Sequence, residues 1–189
     1  MGSDLFELFE LRAHQAGAQV VRVSRPGQAS ECISNILRDN NSRRVVLAPS
    51  FLFAEMRLPA VLQDAGITVL TGPEAQAVEA EAGLTEAELG IAETGSLYQD
   101  ATPLVTRWAS MLPPVHIAVL RTPDIVGTLE EALSRILAHG QPPAYGAIIT
   151  GPSRTADIER VLTIGVHGPA QLHIVCIDQP QAAQRAASS

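Results

Sequence analysis

Apolar residues recur along this chain with two periods, and the alternation between them sketches an α/β order. Leu5, Leu8, Phe9 and Arg12 fall on neighbouring turns of a helix that Asp4 and Glu7 open like a capping box and Gly17 ends. A β-branched run over 19–23 predicts a strand, and Ile33, Ile36 and Leu37 return to helical spacing over 30–38. The apolar run 45–48, stopped by Pro49, predicts a second strand; a helix over 54–64 closed by Gly66 follows, then a third strand over 67–70. Helix and strand thus alternate as right-handed crossovers of a parallel sheet require. The Ala/Glu-rich stretch 73–83 fits either a short helix or a surface excursion. Residues 89–92 and 96–98 flank a turn at Glu93-Thr94-Gly95, and 102–114 reads as a longer connection carrying Trp108. The clearest strand is 115–120. Ile125, Leu129, Leu133, Ile136 and Leu137 form one stripe of a helix over 124–138. Strands over 145–150 and 172–177 complete a three-layer α/β domain, 1–178, with a mostly parallel sheet, followed by a polar tail over 179–189.

Composition sharpens this picture. The 189 residues suit a single domain, and 46% hydrophobic content with only 4% aromatics leaves a core of Ala, Val, Leu and Ile, as a helix-covered parallel sheet prefers. All 13 basic residues are arginine, against 20 acidic ones, for a net charge of −7. Without lysine there is neither a Walker-type phosphate loop nor a Schiff base. An acidic chain with no basic cluster has little to neutralise phosphates, so nucleic acid is not an expected partner. Cys32 and Cys176 are far apart and cannot by themselves hold an iron–sulfur cluster or a structural zinc. They read as two thiols of a reducing compartment, with a disulfide between them left open. No apolar run approaches the roughly 20 residues that span a bilayer, and residues 1–10 lack the basic and apolar regions of a signal peptide. The expectation is a soluble, cytoplasmic protein.

Candidate chemistry gathers in three loops after predicted strands, where α/β sheets bind ligands. In Ala92-Glu93-Thr94-Gly95-Ser96 a carboxylate and two hydroxyls surround a glycine that lets a ligand approach the backbone. Glu93 there suits a base or nucleophile, or simply a solvated turn. In the second loop, Gly151, Ser153, Arg154, Thr155 and Asp157 precede a helix expected through Ile158, Val161 and Leu162. Unpaired N–H groups and a bidentate guanidinium would hold a carboxylate or phosphate, unless the hydroxyls merely cap the helix. The third loop sets His167 between Gly165 and Gly168, an imidazole able to act as acid or base near neutrality. His116 and His173 sit inside apolar strands and read as core histidines. Neither a Gly-x-Ser-x-Gly elbow nor a GxGxxG turn after a strand occurs.

The stretches Gly90-Ile91-Ala92-Glu93-Thr94-Gly95-Ser96-Leu97, RWASMLPPVHIAV over 107–119, GPSRTADIE over 151–159 and GVHGP over 165–169, with Leu172-His173-Ile174-Val175 behind them, resemble the LUD-domain family, in its lactate-utilisation protein C (LutC/YkgG-like) branch. The resemblance covers the C-terminal half in the family's order. It implies a fold like that of the NagB/RpiA/CoA-transferase group and a part in oxidising L-lactate to pyruvate within a three-part system. The iron–sulfur clusters of that system would sit on partner proteins, with no cofactor on this chain. The expected site brings Glu93 and His167 as the titratable pair together with Thr94, Gly95, Ser96, Gly151, Ser153, Arg154, Thr155, Asp157 and Gly168 around a small anionic metabolite. Two alternatives stand beside it: a non-catalytic scaffold for an iron–sulfur partner, and an acyl transferase using Glu93 as its nucleophile.

Overall fold

The computed structural model describes residues 2–72, 79–138, 140, 142–156, 162–164 and 168–179. Six parallel strands form the main sheet: β1 (Gln19–Val23), β2 (Arg44–Leu47), β3 (Thr68–Leu70), β4 (Ala82–Ala87), β7 (Val115–Arg121) and β12 (Gln171–Ile177). They lie in the order β1-β12-β7-β4-β2-β3. Register is set across the middle, where Ile174 pairs with Ala118 and Leu84 with Ile117. Every residue of β7 is buried, as a central strand covered on both faces must be.

Alternate residues of the strands feed two cores. On one face Val45, Leu84, Ile117 and Val175 pack against Ile33 and Leu37 of α2 (Pro26–Asp39), Phe53 of α3 (Phe51–Glu55) and Leu62 of α4 (Leu58–Asp64). On the other, Ala118, Leu120, Ile174 and Cys176 meet Phe6, Phe9 and Ala13 of α1 (Gly2–Gln15). Beside them Ala109 of α5 (Leu104–Met111) rests on Val46 and Ala48. The three-layer α/β reading therefore holds, with an addition. A second sheet lies outside the α1 face, in the order β8-β5-β6-β9, built from β5 (Leu89–Ile91), β6 (Ser96–Asp100), β8 (Ile125–Val126) and β9 (Gly146–Ile149). Its outer face is covered by Ala132 and Ile136 of α6 (Leu129–Ala138).

Four sequence expectations need correction. Strand β4 begins at the end of the stretch 73–83, which fits a short helix or an excursion, and runs on through 84–87, where no strand is expected, because AGLTEA lacks the bulk of a buried strand; the small residues make room for α5. A Cβ on Gly83 would run into the backbone carbonyl of Ala109. For the same reason 104–111 is a helix rather than a connection, its Ala109 and Ser110 buried. Helix α6 starts at Leu129, after a one-turn 3-10 helix over Thr122–Asp124 and strand β8. Its stripe is only partly core: Leu129, Leu133 and Leu137 are 38%, 47% and 61% exposed. Finally, the stretch expected to open a helix after Gly151 forms an antiparallel ribbon of β10 (Arg154–Ala156) and β11 (Leu162–Ile164), with Thr155 opposite Thr163. Its β-branched residues favour the pleated pairing. The tail from 180 lies outside the described residues.

Candidate functional site

The motif glycines share one purpose. Gly95 faces Ala13 of α1, Gly151 faces Ala16 just past the end of α1, and Gly90 is closed in by Leu120, Ile125 and Phe9. Gly95 (φ +65°) and Gly151 (φ +70°) adopt left-handed backbone; a Cβ on Gly95 would strike α1 backbone at Arg12 and Ala13, and one on Gly151 would strike the Ala16 carbonyl just beyond α1. The three loops do come together: the hydroxyls of Ser96 and Thr150 share a hydrogen bond of 2.6 Å, and Ser153 N–H donates to Pro169 O at 2.8 Å. Gly168 lies against the Ser153 side chain. The first two loops close on the C-terminal end of α1 and the residue after it, through Gly95 and Gly151.

The loops are not at the carboxyl edge of the parallel sheet. The first joins two strands of the small sheet, the second leaves β9 of that sheet for β10 of the ribbon, and the third leads into the amino end of β12, where Ala170 N–H donates to Pro114 O. Glu93 Oε1 accepts from Leu129 N–H at 2.7 Å, so this carboxylate caps the first turn of α6. Thr94 is exposed, while Gly95 and Ser96 are buried. Arg154 and Thr155 lie on β10, described by its backbone alone; Asp157 and His167 lie outside the described residues.

A hollow of about 520 Å³ opens at the opposite edge, where β2, β4 and β7 end. Ligands of α/β sheets bind at such carboxyl ends. Ser50 follows β2 and caps α3, its Oγ accepting from Phe53 N–H at 3.2 Å and donating to Glu86 Oε2 at 2.5 Å. Asp100 closes β6 and uses Oδ1 to accept from Thr102 N–H at 2.8 Å. Thr106, 7% exposed, comes from α5, and Arg135 from α6. Phe51, 86% exposed, adds a bare ring among the lining residues. Glu88 and Asp124 also line the hollow, each with a further interaction of its own. Glu93 is not among the lining residues.

No sequence motif marks these groups. The position of Ser50 just past Pro49, which stops the predicted strand 45–48, is a usable signal, but Glu86 is concealed along with β4. Away from the hollow, His116 is sealed in the core with Nε2 at 2.8 Å from Thr85 Oγ1, and burial pushes its pKa down to about 4. Burial likewise lowers His173 and pushes the Cys176 thiol up to about 12. Both cysteines are free thiols. Among the described residues no cluster of three His, Cys, Asp or Glu side chains could hold a metal, and no helix is long and apolar enough to cross a membrane.

An α/β domain of this order, with its glycine-lined first helix, matches the LUD-domain family model over residues 6–177, and the chain belongs to that family. Among its relatives, the lactate utilization protein C of Deinococcus radiodurans is 30% identical over 186 residues, which span 93% of this chain and 80% of that protein. An uncharacterized protein of Neisseria meningitidis is 36% identical over 99 residues, 51% of this chain and 42% of that protein. The crystal structure of a DUF162 family protein from Deinococcus radiodurans superposes with a TM-score of 0.67 at 25% identity, covering 94% of this chain and 98% of that one.

Proposed function

We propose that this chain is a component of an L-lactate-utilisation system that oxidises lactate to pyruvate, and that its small-molecule site is the carboxyl-edge hollow. The observation that carries the first half is the match to a lactate utilization protein C across 93% of the chain. The second half rests on preorganised polar groups around a hollow of about 520 Å³, within the roughly 300–1,000 Å³ of small-molecule sites. The electrons removed from lactate would pass to partner subunits carrying iron–sulfur clusters. The anion site expected at the three loops depends on Arg154 and His167 and has no support from Glu93, whose carboxylate is committed to α6. Deleting the gene in its host and growing the strain on L-lactate tests the proposal. Growth should fail on L-lactate, persist on pyruvate and return with the wild-type gene; unimpaired growth of the deletion strain on L-lactate overturns it.

One observation favours a second reading, a scaffold for the iron–sulfur partner: Leu129, Leu133 and Leu137 project from α6 one turn apart and are exposed. A scaffold would lose that partner in co-purification when Leu133 becomes Glu, with no ligand effect.

A further inference from the structure

We infer that the carboxyl-edge hollow takes a ribonucleoside, its vicinal diol received by Glu86 and Asp100 and its flat base laid against Phe51. This rests on the reading of the hollow as the ligand site, and goes beyond it by naming the ligand's chemistry.

Each of the two carboxylates is held by one oxygen and offers the other. Glu86 is anchored through Oε2 by the Ser50 hydroxyl, and Asp100 through Oδ1 by the Thr102 N–H. Among the described residues Oε1 of Glu86 and Oδ2 of Asp100 have no partner. Ionised carboxylates are acceptors only, so these two oxygens call for donors. Hydroxyl groups meet that need in neutral form and make short, charge-assisted bonds. A second, independent sign of a ligand is Thr106. It is 7% exposed, lines the hollow, and its hydroxyl makes no hydrogen bond among the described residues. Facing the hollow, this hydroxyl is free to pair with a bound ligand as donor or acceptor.

Charge selects further. Glu86 and Asp100 each keep one carboxylate oxygen for a ligand. A small free anion would be repelled by these carboxylates, whereas a neutral diol is not. The apolar share of the lining, with Phe51 86% exposed, suits a flat ring, since an aromatic face left in water gains from stacking. A carboxylate at the carboxyl end of a parallel strand is also the group that binds ribose hydroxyls in other α/β sheets, for the same reason of donor and acceptor match.

Calorimetric titration of the purified full chain with adenosine and uridine tests this, with 2′-deoxyadenosine, adenosine monophosphate and L-lactate as further arms. Saturable binding of a ribonucleoside is expected, weakened about tenfold or more in 2′-deoxyadenosine and in Glu86→Gln, the loss that follows from removing one charge-assisted bond. The deoxy arm needs no variant, so a folding defect in Glu86→Gln cannot mask the answer. Adenosine monophosphate should bind no more tightly than adenosine, since its added negative charge meets the same carboxylates; tighter binding would overturn the charge argument. Failure of both nucleosides to bind overturns it. If L-lactate binds instead and Glu86→Gln abolishes that, the hollow stands as the ligand site and only the nucleoside is wrong. Binding of a nucleoside at equal strength in its 2′-deoxy form overturns the role given to the diol.

Discussion

The glycine loops along α1 and the carboxyl edge of the main sheet differ in a way that runs against their sequences. The loops along α1 carry the conspicuous motifs, yet their glycines are there because backbone meets backbone: Gly95 on Ala13, Gly151 on Ala16. Their one described carboxylate, Glu93, caps a helix. The carboxyl edge carries no motif, yet there Ser50, Glu86, Asp100 and Thr106 surround open volume with acceptor and donor capacity to spare. Close packing limits a sequence tightly because a single methyl group is felt, while a ligand pocket needs only a few polar groups at strand ends. Conspicuous glycines in an α/β domain are therefore as much a sign of packing as of ligand approach.

The largest effect should come from breaking a packing glycine. Gly83→Ala places a methyl group on the Ala109 carbonyl, and at least about 3 kcal/mol of stability should be lost, or the protein should fail to accumulate. Urea denaturation reads this directly. Loss below about 1 kcal/mol would mean that α5 stands off from β4. Next in size is the pH dependence centred on His116. Its pKa in the folded protein lies near 4, below the ordinary 6.5, so the unfolded chain binds more protons between those values. Stability from the neutral imidazole is thus full above about pH 6.5 and is lost as pH falls toward 4, on the order of 3 kcal/mol in all. His173, lowered by burial too, adds to the same slope. Unfolding free energies measured from about pH 7.5 to 4.5 should fall accordingly, and His116→Gln should flatten the curve. The smallest effect marks the contrast from the other side: a methyl group on Gly27 in α2 would meet nothing within 4 Å. Gly27→Ala should stabilise by about 0.5–1 kcal/mol through helix propensity, again by urea denaturation.

How far the fold is legible follows from the same physics. Strands β1, β2, β7 and β12 and helix α2 announce themselves through period and β-branched runs, because they meet ordinary side-chain cores. Strand β4 does not, since its Gly83 and Ala82 are small to admit α5, and Thr85 is polar because it serves His116. The ribbon of β10 and β11 escapes the sequence because three-residue strands are too short to show a period of two, and the pairing of Thr155 with Thr163 exists only in the fold. Of the candidate site, the meeting of the loops is legible, in Ser96–Thr150 and Ser153–Pro169. The hollow is not, because its groups come from separated elements and only the tertiary fold puts Glu86 of β4 beside Ser50 and Asp100.

The most direct measurement is growth on L-lactate of the deletion strain complemented with Glu86→Gln or Glu93→Ala, scaled to the folded protein each accumulates. Glu93→Ala, which loses a helix cap worth about 1 kcal/mol, should support growth at the wild-type level per folded molecule. Glu86→Gln, which keeps the Ser50 hydrogen bond but not the charge, should fold normally and fail to restore growth. Full growth with Glu86→Gln and none with folded Glu93→Ala would place the functional chemistry at the glycine loops and contradict a carboxyl-edge site.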